Sequence, residues 1–406
     1  MSGLRPPTNN RTRRNARFNL SHFRTSLNEM TQQQPVPDFR GIRNPDNTCF
    51  MNCVMQLLFS VPELLTITEY YNTNWTCPMC STNNLLRIKF CTTCNNPRSA
   101  NLLPPTRFSN MTNIDKLYYF YKGYKNIPKG KVFNPEDIFQ RSTCPYFSCS
   151  EDLIEIRSRS GSLRQQTAMD MLRCIFDLKG LVGRTNSIIQ RDENIKRSIT
   201  ELFAHTKTTQ RTCIDSTTKR EIKTELNPNF DGLYLQFSTE EINSGDSISS
   251  ILNQYTRVKN LQERAYSIET NRKYTCKDGR YTIQNIISEP QILFITIERV
   301  YGADPLNPAT SQTKIMKLID INKSVVINNS QYSIIGFVVH SGVAGSGHYI
   351  YYYYDNNTDT LILCNDSVIT TNIPNIGTEE FVNVFYNNSP NSLASKNAVI
   401  VAYRKI

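Results

Sequence analysis

The sequence predicts an α+β fold, and three observations carry that expectation. Apolar residues recur at helical spacing in the first half of the chain. Strand-sized apolar runs take over after about residue 230. Helices followed by strands, rather than alternating with them, is the pattern of segregated α and β layers. Residues 74–99 hold paired cysteines and little apolar periodicity, which marks a small insert.

Residues 1–36 are rich in Asn, Arg and Gln and are expected to be a disordered basic tail. Arg5, Arg11, Arg13, Arg14, Arg17 and Arg24 all precede the first acid, Glu29, so the tail carries roughly half of the net charge of +11. Such a tail suits nucleic acid, an anionic surface or a nuclear address, with a plain solvated tail as the default. Pro35 and Pro37 lead into a folded region, 37–406. Residues 47–58 read as a helix, because Phe50, Val54, Leu57 and Leu58 share one face, and Asn47 and Thr48 are suitable caps. Residues 165–178 read as a second helix through Met169, Leu172, Ile175 and Phe176. Strands are expected at 233–237, Ile292–Ile297, 333–339, 349–354, 360–363 and 399–403, with polar turns between them.

Hydrophobic residues are 39% and charged residues 20% of the chain, enough for a sizeable core. The apolar runs are strand-sized and too short to span a bilayer. The Arg-rich N-terminal stretch has no signal-like apolar region. The expectation is a soluble intracellular protein, cytoplasmic or nuclear, without membrane contact. Twelve cysteines in such a chain point to metal binding, catalysis and burial rather than to a disulfide framework.

Cys49 opens the first predicted helix, where partial positive charge favours a thiolate. Its surroundings are Gly41-Ile42-Arg43-Asn44-Pro45-Asp46-Asn47-Thr48-Cys49-Phe50-Met51-Asn52-Cys53-Val54-Met55-Gln56. This run resembles the cysteine box of the ubiquitin-specific proteases, G-L-x-N-x-G-N-T-C-Y/F-M-N-S-x-x-Q. The segment from His340 through Gly342, Gly345 and Gly347 to His348 and Tyr349 is similar to the histidine box of that family. Thr360 to Val368, which contains Asn365 and Asp366, resembles its W-x-x-F-N/D-D-x-x-V segment. Arg164 to Leu172 and Ala398 to Tyr403 match a further helix and the closing strand.

The resemblance implies a papain-like cysteine protease fold of thumb, palm and fingers, acting on the bond after the C-terminal Gly of ubiquitin. It makes Cys49 the nucleophile, His348 the base, Asn365 the orienting residue and Asn44 an oxyanion donor. Asp366 is the alternative orienter, or an aid to the oxyanion or the attacking water. His340 reads as structural or substrate-lining, and His205 lies in a polar stretch of helical texture. Asp46 replaces the family's glycine, and a carboxylate turned toward the oxyanion opposes its developing charge. Cys53 replaces a serine, Thr167 an aspartate, and Leu361 and Cys364 replace Trp and Phe. A catalytically silent ubiquitin-binding protein of the same fold is the first rival reading.

Cys77, Cys80, Cys91 and Cys94 form C-x2-C-x10-C-x2-C, a spacing that offers four thiolates to one Zn2+. With Trp75, Asn84 and Asn96-Pro97-Arg98 the segment resembles a Ran-binding-protein type zinc finger. The resemblance implies a structural or protein-docking finger first, with ubiquitin or RNA as further partners. Ser81 and Thr82 replace the Thr-Phe of ubiquitin-binding members, and Arg87, Lys89 and Phe90 are a partial RNA-binding set. A nucleic-acid-associated factor using tail and finger is the second rival. Cys213 and Cys276 look like a second zinc site with half its ligands lost, so no zinc is expected there. Cys144 and Cys149 are expected to be structural, and Cys53, Cys174 and Cys364 buried.

Overall fold

The computed structural model describes residues 36–45, 47–76, 79–80, 82–85, 87–98, 111–137, 147, 167–176, 190–256, 259–262, 265–266, 273–274, 280–287, 289–301, 313–343, 346–374 and 394–406. Residues 1–35 of the basic tail, Asp46, Cys77, Cys144, Cys149 and Cys276 lie outside the described residues.

Helix α1 is Cys49–Phe59, and all eleven of its residues are buried, as the apolar character around its whole circumference requires. Its start differs from expectation. Thr48 makes no side-chain cap bond to the helix; its hydroxyl is turned back to Asn44. Helix α2, Pro62–Thr73, begins with proline in its first turn, where a missing N–H is harmless. The insert follows with strands β1 (Asn74–Thr76) and β2 (Asn83–Leu85). Helix α3, Asn113–Asn126, starts with a capping box between Thr112 and Asp115. Helix α4, Ala168–Ile175, starts at Thr167, whose hydroxyl accepts from the Asp170 N–H at 3.0 Å. The threonine that departs from the family pattern therefore serves as a sound cap. Helix α5 is Gln190–Phe203.

Strand structure begins earlier than the sequence predicts. Strands β3 (His205–Ile214) and β4 (Glu221–Gly232) pair antiparallel, and His205 opens a strand rather than lying in a helix. Strand β3 is polar up to Cys213, and the apolar residues of β4, Ile222, Leu226 and Phe230, stand four apart, so no apolar alternation announces either strand. At their tip the Asp215 carboxylate accepts from the N–H groups of Thr217 and Thr218 and from the Thr218 hydroxyl. Then come β5 (Leu235–Phe237), α6 (Thr239–Ser244), α7 (Ile248–Thr256), β6 (Lys259–Gln262), β7 (Ala265–Tyr266), β8 (Lys273–Tyr274) and β9 (Arg280–Ile287). Strands β4, β3, β9 and β6, in that order, form a sheet of their own.

The remaining strands are β10 (Ile292–Ile297), β11 (Val300–Tyr301), β12 (Thr313–Lys314), β13 (Ser324–Ile327), β14 (Ser330–Val343), β15 (Ser346–Asp355), β16 (Thr360–Asn365), β17 (Val368–Pro374) and β18 (Ala398–Lys405), with α8 at Ala394–Asn397. The main sheet runs β17-β16-β15-β14-β18-β10-β5, with β13 paired to β14. Its neighbours are antiparallel except β10 with β5. Ile292 and Phe294 join the core that contains α1 to α5, whereas Leu293, Ile295 and Ile297 join the core on the other face with α6 and α7. Burial on both faces explains why 292–297 reads as one continuous apolar run.

Cys53, Cys174 and Cys364 are buried as expected. Cys174 and Cys213, however, are each disulfide-bonded, which corrects for these two the expectation of metal binding, catalysis or burial rather than disulfides. Disulfide pairing depends on which Cβ atoms meet in the tertiary structure, and a count of cysteines does not contain that information. Among the described residues no single helix is long and apolar enough to cross a membrane.

Candidate active site

The cysteine segment and the turn between β16 and β17 are tied at one carboxylate. Asp366 sits in that turn with φ 46°. Its Oδ2 accepts from Asn44 Nδ2 at 2.9 Å, and its Oδ1 accepts from Asn52 Nδ2 at 2.7 Å. Its backbone carbonyl accepts from the Ile42 N–H at 2.8 Å. Gly41 makes this approach possible, because a Cβ there would lie 2.1 Å from the Ser367 carbonyl oxygen. Asn44 faces the opposite way with its own oxygen, which accepts from the Thr48 N–H at 2.9 Å and the Thr48 hydroxyl at 3.0 Å. Asn47 completes the turn into α1 with φ 51°, a region that asparagine tolerates better than most residues.

Farther along α1, the Gln56 amide donates to the Arg40 carbonyl at 2.7 Å and accepts from the Tyr124 hydroxyl at 3.0 Å. The segment leading to Cys49 is thus fastened at Arg40 as well. Cys53 is buried one turn after Cys49 and donates to the Phe50 carbonyl at 3.1 Å. Burial, with Cys49 and Asp366 nearby, pushes the Cys53 thiol pKa well up, which keeps it a neutral thiol.

His348 stands on β15 opposite Ser341 of β14. Its Nε2 meets Asn365 Oδ1 at 2.6 Å, so Nε2 donates to the amide oxygen. A hydrogen bond also links the imidazole to the Cys49 side chain, and with Nε2 engaged this contact falls to Nδ1. The bond to Cys49 is the largest cause of a His348 pKa raised to about 9. Burial opposes that rise, while Asn365 and the Asp366 carboxylate, 3.9 Å from Nε2, add to it. The structure therefore brings Cys49, His348, Asn365, Asp366 and Asn44 into one connected group.

His340 is buried, and its ring stacks on Tyr349 with centroids 4.3 Å apart. A Cβ on Gly347 would lie 2.4 Å from His340 Nε2, so the missing side chain of Gly347 admits the ring. Burial first, then the positive charges of Lys314 and His348, lower the His340 pKa to about 4. Lys314 donates to the carbonyls of His340 at 2.6 Å and Gly342 at 2.9 Å. Two residues of this neighbourhood carry no role in the sequence reading. Asn52 is present in the cysteine box as a bare match, and Lys314 belongs to no motif; only the folded contacts reveal either.

The insert gathers three of the four predicted cysteines, Cys80, Cys91 and Cys94. The thiols of Cys80, Cys91 and Cys94 lie within 4.8 Å of one another, and Cys80 Sγ is 3.4 Å from Cys91 Sγ. Thiolates sharing one tetrahedral zinc stand about 3.8 Å apart, so the donor set fits that ion. Asn84 is buried and joins the two halves: Oδ1 accepts from the Thr92 N–H and hydroxyl, and Nδ2 donates to the Thr82 carbonyl. Burial works against ionising Cys91, but N–H donors from Cys94 and Thr93 outweigh it and lower its pKa to about 6. Backbone N–H groups aimed at sulfur are the second shell a thiolate–metal centre needs. Met79, Leu85 and Phe90 are exposed on the insert.

A family model described as ubiquitin carboxyl-terminal hydrolase matches residues 40–403. A solved structure, the SAGA DUB module Ubp8/Sgf11/Sus1/Sgf73 bound to monoubiquitin, resembles the fold with a TM-score of 0.52 at 15% identity. That likeness covers 95% of this chain and 74% of the other. A comparison with curated proteins finds no match. The mixed α+β architecture is that of a papain-like deubiquitinase, with a small cysteine cluster consistent with a zinc-finger insertion. The family match spans residues 40–403, and the chain therefore belongs to the ubiquitin carboxyl-terminal hydrolase family.

Proposed function

We propose that the protein is an intracellular cysteine-type deubiquitinase that cleaves the peptide or isopeptide bond after the C-terminal Gly of ubiquitin. The observation that carries this reading is His348, which bridges the Cys49 side chain and Asn365 Oδ1. In the proposed reaction the Cys49 thiolate attacks the terminal Gly carbonyl. The imidazolium of His348 protonates the leaving amine, and a thioester remains on Cys49. His348 then takes a proton from water, which attacks the thioester and frees the ubiquitin carboxylate.

Asn365 holds Nε2–H, so that Nδ1 faces sulfur; a neutral amide suffices for that role beside a cysteine. An amide nitrogen carries two protons, and Asp366 takes only one of those on Asn44. The second is the donor offered to the tetrahedral oxyanion, where one such bond is worth roughly 3 kcal/mol. Asp366 orients Asn44 and adds negative charge near the imidazolium. Cys77, Cys80, Cys91 and Cys94 would hold one structural Zn2+, which organises the insert and takes no part in the cleavage. The insert serves as a structural or protein-docking finger, and its exposed Met79, Leu85 and Phe90 support the docking role.

The test uses a ubiquitin propargylamide probe together with ubiquitin–aminocoumarin turnover. Wild-type protein should acquire one ubiquitin on Cys49 and release coumarin, and Cys49→Ala should do neither. Labelling of the wild type no stronger than that of Cys49→Ala would overturn the reading. Ubiquitin binding without turnover would replace it with a silent binder of the same fold.

A further inference from the structure

We propose that Lys314 is a positioning residue for His348: its ammonium holds the end of the β14–β15 hairpin and so sets where the imidazole stands relative to Cys49. The proposal rests on the reading of Cys49 and His348 as a nucleophile–base pair. It begins with a gap in the sheet. Strand β18 pairs with β14 only as far as Val339 with Ala398. Strand β14 continues to Val343, paired there with β15. Backbone carbonyls on the edge that β18 has left need another donor.

Lys314 supplies that donor. Its Nζ reaches the His340 carbonyl at 2.6 Å, the Gly342 carbonyl at 2.9 Å and Asn397 Oδ1 at 2.8 Å. Three acceptors match the three protons of an ammonium group. Asn397 is the residue directly before β18, so the ammonium sits where the next rung of the ladder would have been.

The two carbonyls flank Ser341, and Ser341 is the residue opposite His348. Fixing the peptide groups on either side of that rung fixes the rung itself. The neighbours of His348 are coupled to the same place. Gly347 lies against the His340 ring, and Tyr349 stacks on it. A shift of His340 is therefore passed to the residues on both sides of the base.

Lys314 is itself well founded. It pairs with Val300, and the next residue, Ile315, donates its N–H to the Arg299 carbonyl at 2.7 Å. The buried Arg299 side chain donates to the carbonyls of Ala398 at 2.7 Å and Lys317 at 2.8 Å. The lysine thus hangs from a base that is joined to the start of β18. Burying its ammonium is unfavourable unless every proton is bonded, and here every proton has an acceptor.

The experiment compares wild type, Lys314→Met and Lys314→Arg. The methionine keeps an apolar stem of similar length, and the arginine keeps the charge and several donors. Two readouts are taken with thermal melting as the control for folding. The first is kcat and KM for ubiquitin–aminocoumarin. The second is the rate of alkylation of Cys49 by iodoacetamide between pH 5 and 9, read on the Cys49 peptide by mass spectrometry, which needs no ubiquitin. Lys314→Met should lose about tenfold to a hundredfold, mostly in kcat, since a misplacement of about 1 Å costs that much. Its alkylation profile should move toward that of a cysteine without a histidine partner, and Lys314→Arg should recover most of both. A Lys314→Met protein that is folded and keeps the wild-type alkylation profile would overturn the proposal. If wild type alkylates rapidly but turns over no ubiquitin, the deubiquitinase reading fails, and the alkylation profiles still decide the role of Lys314. Should Lys314→Met not fold, Lys314→Gln takes its place under the same criteria.

Discussion

Cys49 and Cys91 are equally buried, at 3% exposure each, and yet their surroundings prepare them for opposite uses. Cys49 stands beside an imidazole delivered by a strand from the far end of the chain. Cys91 stands beside other thiols from its own short segment, and N–H groups of Thr93 and Cys94 turn toward its sulfur. A histidine takes a proton and returns it, so it keeps a thiol available for bond formation. A ring of thiols has no proton to return and instead offers electron pairs to a soft cation. Burial alone says nothing about which of these a cysteine will do; the partner decides.

The comparison breaks most visibly at the histidine. His348→Ala should lower kcat/KM for ubiquitin–aminocoumarin by about 10²–10⁴-fold, the usual worth of a positioned acid–base group. The same substitution should leave the zinc content of the protein unchanged, as measured by elemental analysis. A loss below about tenfold would mean that Cys49 has another base, and His340 would be the first place to look. Its buried ring and its pKa of about 4 argue that it is a poor one.

The two histidines also differ in how their protons couple to folding, and the difference gives an effect of no more than about 3.5 kcal/mol for each. The folded pKa of His348 is raised to about 9, above the ordinary 6.5. Its stabilising contribution is therefore full below about pH 6.5 and is lost as the pH rises toward and through 9. The folded pKa of His340 is lowered to about 4. Its contribution is full above about pH 6.5 and is lost as the pH falls toward and through 4. Denaturant midpoints between pH 4 and 9.5 should show His348→Ala flattening the alkaline side of the profile and His340→Phe flattening the acid side. If both substitutions act on the same side, the two rings have been assigned the wrong environments.

What the sequence makes legible follows the same division between local and distant partners. The insert is readable because its thiols meet within one short segment, and their spacing is itself the geometry. Cys49 and His348 are readable because each sits in a motif whose residues build the local backbone: Asn47 for the positive φ, Gly41 for the close pass at Ser367, and Gly347 for the His340 ring. The strand Ile292–Ile297 is readable because both of its faces are buried. Strands β3 and β4 are not, because Thr, Lys, Gln and Arg fill most of β3 and the apolar residues of β4 stand four apart instead of alternating. Nor are the contacts that hold the site together. Asn52 meets Asp366, and Lys314 meets Asn397, across long stretches of chain, and neither pair leaves a pattern that spacing or composition would reveal.

The gentlest test asks whether the two cysteine regions are independent. These hydrogen bonds of the insert run among its own residues: Asn84 to Thr82 and Thr92, Thr82 to Thr93, and Cys91 to Asn96. The fastening of Cys49 runs instead through Asn44, Asn52, Asp366 and Gln56, all outside the insert. Stripping metal with a thiol-competent chelator should then release one zinc per chain and change ubiquitin–aminocoumarin turnover by less than about threefold, with Cys91→Ser giving the same result. The direction of the small residual effect is informative. Helix α2 ends at Thr73, immediately before the insert begins at Asn74, so loosening the insert frays the last turn of α2 first. A tenfold loss on chelation would mean that the insert reaches the cleft through that helix, and the two regions would have to be treated as one unit.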